Sequence, residues 1–184
     1  MGEDKALLSL GGKPLVLHAA DLLRPHVRQV YLLGSPERYA PFDLPVLEDE
    51  FADSGPLAGL CAGLKHSRFE WNVFLACDVP LLTDRFLQEL LARAAVTSAQ
   101  AVIPKTAAGL QPLTAAYHRS CLPIFESAIR RGDLSVRKVL RLLQREIIGP
   151  AAGDNPSQWD EMFRNVNHPE DWKWIRRKTG ETGD

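Results

Sequence analysis

Short runs of apolar residues alternate along the chain with longer amphipathic stretches. The runs are rich in β-branched and aromatic side chains, and four of the five residues in 72–76 are apolar. Such runs are typical of strands that helices cover on both faces, as in the crossover units of a largely parallel sheet. The pattern predicts strands at 27–33, 45–48, 72–76, 101–104 and 112–117. The last can run antiparallel at a sheet edge, because Pro112 cannot donate to a central ladder.

The amphipathic stretches between these runs predict the helices. Pro56 suits the first position of a helix over 56–65, with Gly55 as its cap, because proline has no N–H to leave unpaired there. Ser135 can cap another, since apolar residues from Val136 to Leu143 recur at three- and four-residue spacing. The remaining predicted helices span 14–23, 84–95 and 169–178. We expect one domain over 1–178 and a disordered tail over 179–184.

Composition narrows the class of protein. The 184 residues are 45% hydrophobic and 24% charged, as in a soluble globular domain. The formal net charge of −1 provides no field to hold nucleic acid or anionic lipid. Three widely spaced cysteines exclude a disulfide scaffold and a paired-cysteine zinc motif, and the first residues lack the pattern of a signal peptide. We therefore expect a cytoplasmic protein with neither nucleic-acid nor membrane partners.

Two acidic residues follow predicted strands, where ligands bind in open α/β sheets. Asp78 ends the run 73–77 and precedes Val79-Pro80. A carboxylate there can hold a hard cation such as Mg²⁺ against substrate phosphates, or it can cap a turn before the proline. Asp49 follows the run 45–48 in the same way, but it also belongs to an acidic segment, 48–53, that can be a solvated loop.

A second candidate feature is the segment Gly55-Pro56-Leu57-Ala58-Gly59. It places backbone N–H groups at a helix amino end, where partial positive charge favours an anion or the polar edge of a nucleotide. A glycine-proline turn with no ligand is the alternative. Lys5 can supply a point charge to a phosphate, or it can be an ordinary surface lysine.

Several other kinds of site are excluded. The five histidines form no pair at metal-ligand spacing. Gly11-Gly12-Lys13 lacks the spacing and the following Ser or Thr of a P-loop. No G-x-S-x-G turn supports a serine hydrolase.

Taken together, seven short motifs resemble the molybdenum cofactor guanylyltransferases over nearly the whole chain. They are, in order, Met1-Gly2-Glu3-Asp4-Lys5-Ala6-Leu7-Leu8, Gly12-Lys13-Pro14-Leu15, Leu47-Glu48-Asp49, Gly55-Pro56-Leu57-Ala58-Gly59, Cys77-Asp78-Val79-Pro80, Gln111-Pro112-Leu113 and Asn165-Val166-Asn167-His168-Pro169-Glu170-Asp171. The resemblance implies a Rossmann-like, GT-A-like nucleotidyltransferase, a three-layer sandwich around a mostly parallel sheet. It also implies transfer of GMP from GTP to the terminal phosphate of molybdenum-bound molybdopterin, with release of pyrophosphate.

The resemblance assigns roles to individual residues. Lys5 and Asp78 are the catalytic residues that it implies, with Asp78 as the Mg²⁺ ligand. Asn165 and Asn167 are placed beside the pterin, in a motif where Thr is commoner than His168. The GTP-binding residues that it implies are Lys5, Gly34, Asp49, Gly55, Pro56, Leu57, Gly59 and Asp78. At Gly34 the family usually has a polar residue, so a side-chain contact is not expected there.

The amino end departs from the family. Its members begin with a strand and a loop of the form L-A-G-G-x-S-x-R-M-G, and here Met1-Gly2 coincides with the last two positions. We expect that the first strand and the loop lie upstream of this sequence, with a natural truncation as the alternative. Protein partners implied by the pathway are a molybdenum insertion enzyme and molybdoenzyme chaperones. The alternative functions are a CTP-dependent molybdopterin cytidylyltransferase and a non-catalytic pterin-binding remnant.

Overall fold

The computed structural model describes residues 4–48 and 55–181 of the protein. The helices are α1 Leu15–Leu23, α2 Pro36–Tyr39, α3 Gly55–His66, α4 Asp84–Val96, α5 Leu122–Arg130, α6 Val136–Val139, α7 Pro156–Met162 and α8 Pro169–Lys178. The strands are β1 Ser9–Leu10, β2 Lys13–Pro14, β3 Leu32–Leu33, β4 Val46–Leu47, β5 Trp71–Phe74, β6 Ala101–Thr106, β7 Gly109–Leu110, β8 Ala115–His118 and β9 Arg145–Ile148. Short 3₁₀ turns lie at Lys5–Leu7, Arg119–Cys121 and Leu140–Leu142.

The largest sheet is mixed rather than mostly parallel. Its strands follow the order β5-β8-β6-β7, and β9 also pairs with β6. β8 is antiparallel to both of its neighbours, whereas β9 runs parallel to β6. An antiparallel strand was predicted here, but its edge position is wrong. β8 begins only at Ala115, beyond Pro112, so the proline removes no hydrogen bond from this central ladder.

Alternation along β6 and β8 builds three layers. Ala101, Ile103 and Tyr117 face one side of the sheet, where they pack with α3 and α5. Val102 and Ala116 face the other side, where they pack with α4 and α7. Since successive side chains of a strand point to opposite faces, each strand contributes to both cores. The predicted sandwich of helices around a sheet is confirmed.

The predicted elements differ from the observed ones mainly in extent. Only Leu32–Leu33 of the predicted strand 27–33 pairs with another strand, in parallel with β4. The helix after Ser135 is one α turn followed by a 3₁₀ turn at Leu140–Leu142. At the carboxyl end, Thr179 to Glu181 form a hydrogen-bonded turn that closes α8. The structure adds α2, α5, α7, β7, β9 and the β1–β2 hairpin, which the pattern did not predict.

A cavity of about 710 Å³ separates β3 from β5. Consecutive residues line it on both sides, Tyr31 to Leu33 along one and Trp71 to Leu75 along the other. Because side chains alternate between the faces of a strand, a wall of consecutive residues is its backbone edge. Within 4–48 and 55–181, β3 pairs only with β4 and β5 only with β8, so the facing edges have no strand partner. We term this cavity the strand gap.

The strand gap leaves β5 at the edge of its sheet. The apolar run was predicted to be a strand covered on both faces, yet all four residues of β5 are only half-buried. Their exposure follows from the open edge, since β5 is the last strand of its sheet. Among the described residues, no helix is long and apolar enough to cross a membrane.

Candidate active site

Asp78 lies beyond the carboxyl end of β5, as predicted. Its backbone oxygen accepts a hydrogen bond of 2.8 Å from the N–H of Val166, and the next residue, Val79, is buried in the core. The Asp78 side chain is about one-quarter exposed and accepts a hydrogen bond from Asn165 Nδ2 at 3.4 Å. The carboxylate is therefore fixed by its backbone while its oxygens stay accessible to a ligand.

Lys5 reaches this carboxylate from the first described turn of the chain. Its Nζ donates to Asn167 Oδ1 at 2.7 Å and lies 3.9 Å from Asp78 Oδ2. The turn Lys5–Leu7 is capped by Asp4, whose Oδ1 accepts from the N–H of Ala6. One-third of the lysine side chain remains exposed, so the ammonium can meet a further anionic group.

Asp4 is held in turn by α2. Its Oδ2 accepts hydrogen bonds from Arg38 Nη1 at 3.0 Å and from the Tyr39 hydroxyl at 3.3 Å. Burial, together with the negative charge of Asp4, raises the pKa of Tyr39 to about 12. The phenol therefore stays protonated at neutral pH and remains a hydrogen-bond donor to Asp4. Sequence reasoning missed all three of these supporting residues, and no spacing signal joins Asp4 to α2.

The loop between α7 and α8 completes the site. Val166 is fully buried with Leu10, Leu15 and Ile175, and this packing anchors the loop between the β1–β2 hairpin and α8. The flanking Asn165 and Asn167 project their amides toward Asp78 and Lys5. We term Lys5, Asp78, Asn165 and Asn167 the polar cluster. Lys5 and Asp78, which are expected at the nucleotide, thus contact Asn167 and Asn165, which are expected at the pterin.

The glycine segments predicted to bind nucleotide lie on neighbouring elements. Gly55 begins α3 with a φ of +63°, a conformation that favours glycine. The Leu57 side chain is fully buried in the core, so this residue can reach a ligand only through its backbone. Pro56 is exposed and Gly59 is half-buried. Asp49 lies outside the described residues.

Gly34 follows β3 and has a structural reason to be glycine. Its φ is +143°, and a Cβ would lie 2.8 Å from the Tyr39 ring. Its N–H donates to the carbonyl of Leu47, so it helps to pair β3 with β4. The lack of a Cβ at Gly34 therefore leaves room for the ring whose hydroxyl donates to Asp4.

The thiol next to Asp78 in the chain, that of Cys77, is partly buried. Burial, with the negative charges of Asp78 and Asp4, raises the pKa of Cys77 to about 11. The Cys77 thiol is therefore protonated at neutral pH and is a poor nucleophile. Among the described residues, no group of three or more histidine, cysteine or acidic side chains can hold a metal ion. The Asp78 carboxylate does fit the way Mg²⁺ is commonly held, by one or two carboxylates, water and substrate phosphates.

The match to a family of known fold identifies the chain as a nucleotidyltransferase. A family model described as the MobA-like NTP transferase domain matches residues 1–147, and the chain belongs to that family. The matched range contains Lys5 and Asp78 and ends before Asn165.

Curated relatives extend this similarity to the rest of the chain. The chain is 36% identical over 174 residues to the molybdenum cofactor guanylyltransferase of Pseudomonas entomophila (strain L48), covering 92% of this chain and 87% of that one. It is 35% identical over 176 residues to a probable molybdenum cofactor guanylyltransferase of Nostoc sp. (strain PCC 7120), covering 93% and 82% of the two chains.

Solved structures show the same fold. The molybdopterin-guanine dinucleotide biosynthesis protein A from Archaeoglobus fulgidus superposes with a TM-score of 0.81 at 25% identity, covering 98% of this chain and 93% of that chain. A 2-C-methyl-D-erythritol 4-phosphate cytidylyltransferase from Thermus thermophilus reaches a TM-score of 0.72, with 96% and 94% covered. At 13% identity, the second likeness concerns the fold alone.

Proposed function

We propose that the protein transfers GMP from GTP to the terminal phosphate of molybdenum-bound molybdopterin and releases pyrophosphate. The observation that carries the proposal is the polar cluster, in which Lys5 and Asp78 contact Asn167 and Asn165. A lysine, an acid and two amides at the end of a strand suit the joining of two phosphate-bearing substrates. The names of the curated relatives supply the identity of those substrates.

The reaction needs little proton chemistry from the protein. A terminal phosphate oxygen of the pterin, already ionised at neutral pH, attacks the α-phosphorus of GTP. A new P–O bond forms there while the bond to the bridging oxygen breaks, and the electron pair leaves with pyrophosphate. No general base is required, which agrees with a cluster that contains no histidine or serine. Positioning and charge neutralisation are the tasks left to the chain.

The roles divide within the cluster. Lys5 neutralises charge on the triphosphate and on the departing pyrophosphate, because its ammonium has three donors and the described hydrogen bond to Asn167 uses one. Asp78 would hold Mg²⁺, and the metal would supply charge neutralisation at the phosphates. Asn165 orients the Asp78 carboxylate through its amide, and Asn167 lies on the pterin side.

The guanosine is assigned to the neighbouring glycine segments. At the amino end of α3, Gly55 and Leu57 offer backbone N–H groups to it. Pro56 and Gly59, in the same segment, are also assigned to the guanosine. Gly34 and Asp49 are also assigned to the guanosine in this proposal. This region is connected to the polar cluster through Tyr39. The Tyr39 ring lies against Gly34, and its hydroxyl donates to Asp4, which caps the turn that begins at Lys5.

The proposed setting follows from this chemistry. The substrates are GTP and molybdopterin, and the metal is Mg²⁺. A molybdenum insertion enzyme and molybdoenzyme chaperones are the proposed protein partners, and the cytoplasm is the proposed location.

Thermal melting with nucleotides tests the base and the site together. The chain is melted with Mg²⁺ alone and with GTP, CTP, ATP or UTP added, because a ligand that binds only the folded state raises the Tm. We expect GTP alone to raise it, and we expect label from the α-phosphate of GTP to appear on molybdopterin. A rise with CTP and not GTP would identify a cytidylyltransferase. A rise with GTP but no transfer would identify a binding protein without turnover.

A further inference from the structure

The carboxylate of Asp171, in the first turn of α8, accepts hydrogen bonds from both sides of the loop that carries Asn165 and Asn167. Its Oδ2 accepts hydrogen bonds from the backbone N–H of Asn167 at 3.2 Å and of His168 at 3.0 Å. Its Oδ1 accepts from Nε and Nη2 of Arg164 at 3.2 and 3.1 Å. The two oxygens thus hold the residue before Asn165 and the residues from Asn167 onward.

The position of Arg164 is also fixed by a contact with an aromatic ring. Its guanidinium lies over the Trp174 ring, 4.4 Å from the ring centre, where the cation and the aromatic face attract. Trp174 lies three residues after Asp171, on the same side of α8. The loop is therefore tied to α8 by the carboxylate, the guanidinium and the ring in sequence.

α8 in turn is packed against the part of the chain that follows Lys5. Ile175 is fully buried with Leu10, Leu15 and Val166. The position of the loop relative to Lys5 is thereby set through α8. Within the loop, Asn167 Oδ1 is the acceptor of the Lys5 ammonium, and the Asn165 amide donates to Asp78.

We propose that Asp171 is a positioning residue for nucleotidyl transfer. By fixing the backbone of Asn167, it holds the Lys5 ammonium beside Asp78 without itself touching substrate. This inference rests on the proposed function. A displacement of about 1 Å at a reacting centre can lower a rate by roughly a hundredfold, so a residue of this kind affects catalysis out of proportion to its effect on stability.

The competing explanation is that Asp171 only caps a helix. An acid in the first turn stabilises α8 through its dipole and its free N–H groups wherever that helix lies. A cap of that kind changes the Tm but leaves the kcat of the folded enzyme unchanged.

Asp154 provides a matched control for the two explanations. Its Oδ1 accepts from Arg85 Nη2 at 2.8 Å, and its Oδ2 accepts from the backbone N–H of Ala151 at 3.2 Å. It is therefore also an acid that links an arginine to a loop backbone. Its described hydrogen bonds do not reach the polar cluster.

The experiment compares Asp171→Ala, Asn167→Ala, the double variant and Asp154→Ala in transfer of GMP at saturating Mg²⁺. We expect Asp171→Ala to lower kcat by about tenfold or more, with a smaller change in the KM for GTP. The double variant should be no slower than Asn167→Ala, because both changes act on the same contact. Asp154→Ala should keep kcat within twofold. A native kcat in Asp171→Ala, or losses that multiply in the double variant, would overturn the proposal.

A second measurement separates this inference from the proposed function. The side-chain amide resonance of Asn167, assigned by its loss in Asn167→Ala, should shift in Asp171→Ala and stay in place in Asp154→Ala. If the unaltered protein transfers nothing from GTP, the proposed function fails and the resonance still decides the position of Asn167. An unshifted resonance would overturn the positioning role even in an active enzyme.

Discussion

The ammonium of Lys5 donates to the Asn167 side chain at 2.7 Å, although 162 residues separate them in the chain. The contact places a positive charge 3.9 Å from Asp78, at the end of a strand that belongs to neither segment. Three distant parts of the chain thus meet at one point, and each can be altered separately.

Replacing Lys5 by Met should remove charge stabilisation with little change in bulk. We expect kcat/KM for GTP to fall by about a hundredfold to a thousandfold, the range for loss of one preorganised donor to a developing charge. The matched variant is Lys13→Met, since Lys13 pairs with Asp21 on the surface. Steady-state kinetics of both variants decide the matter, and equal losses in the two would contradict the role of Lys5.

Asp78→Asn should abolish transfer while leaving the fold intact, because the amide keeps the shape but not the charge needed for Mg²⁺. The far-ultraviolet circular dichroism spectrum and the Tm should stay close to those of the unaltered protein. Asp133→Asn, an exposed acid paired with Arg131, is the control. Near-native rates for Asp78→Asn at saturating Mg²⁺ would show that the metal role is wrong.

Stability should depend on pH through Asp171. Although desolvation by burial acts in the opposite direction, hydrogen bonds from His168, Arg164 and Asn167 lower the pKa of Asp171. The folded state then binds a proton less readily than the unfolded state, whose aspartate titrates near pH ~3.9. The carboxylate therefore stabilises the fold above that pH, and its contribution is lost as the pH falls through the folded pKa.

Urea unfolding of the protein and of Asp171→Asn across pH 2–7 checks this sign. The unaltered protein should be more stable by a few tenths to about 1 kcal/mol at neutral pH, as for an acid at a helix amino end. The difference should shrink below about pH 4. A difference that grows on acidification would refute the assignment.

Gly34→Ala should loosen the support of Lys5. The new Cβ would lie 2.8 Å from the Tyr39 ring, whose hydroxyl donates to Asp4, the cap of the Lys5 turn. We expect a loss of stability of about 1–3 kcal/mol from backbone strain, with a further loss from the clash. Gly153→Ala is the control, since Gly153 also has a positive φ but nothing lies within 4 Å of its added Cβ. Urea unfolding of both variants isolates the clash, and equal losses would argue against it.

The strand gap should accept an extended apolar segment. Ala6 belongs to the same apolar cluster as Leu32, in β3, and Cys77, beyond the carboxyl end of β5, packs against that cluster. A parallel strand in the gap would therefore lead into the first described residues. Joining five or six Val, Ile and Leu residues ahead of Met1 should raise the Tm by several degrees, because each fully buried side chain contributes about 1.5–3 kcal/mol.

A Gly/Ser extension of equal length is the control for that melt, and no difference between the two would count against the gap as a strand site. The expectation of a family strand and loop upstream of Met1 remains a prediction.

Local patterns predicted those parts of the molecule that local physics determines. α4 was predicted within a residue, and the structure shows local reasons for its bounds: Thr83 caps it and its apolar residues recur along one face. Asp78 was predicted because it follows a continuous apolar run. The position of β5 at the edge of its sheet was not predictable from that run, because a continuous apolar run does not show which strands will pair with it.

The remaining parts of the site depend on contacts between distant segments. Nothing in the spacing of Lys5 and Asn167 indicates that they meet, and only the family resemblance gave Asn167 a role. Asp171 carried a usable signal, because an acid at the third helical position is typical of a helix start. Its hold on Arg164 required the folded loop.

The first and last described segments are fastened together at the polar cluster and at the shared core of Leu10 and Ile175. The site therefore exists only while these two segments stay in contact. Force applied to the two chain ends would break the contacts of the polar cluster before those of the sheet core. Fraying of either end would do the same. Substrate binding should be lost at a lower force or temperature than the fold itself, so the enzyme would fail first as a catalyst and only later as a structure.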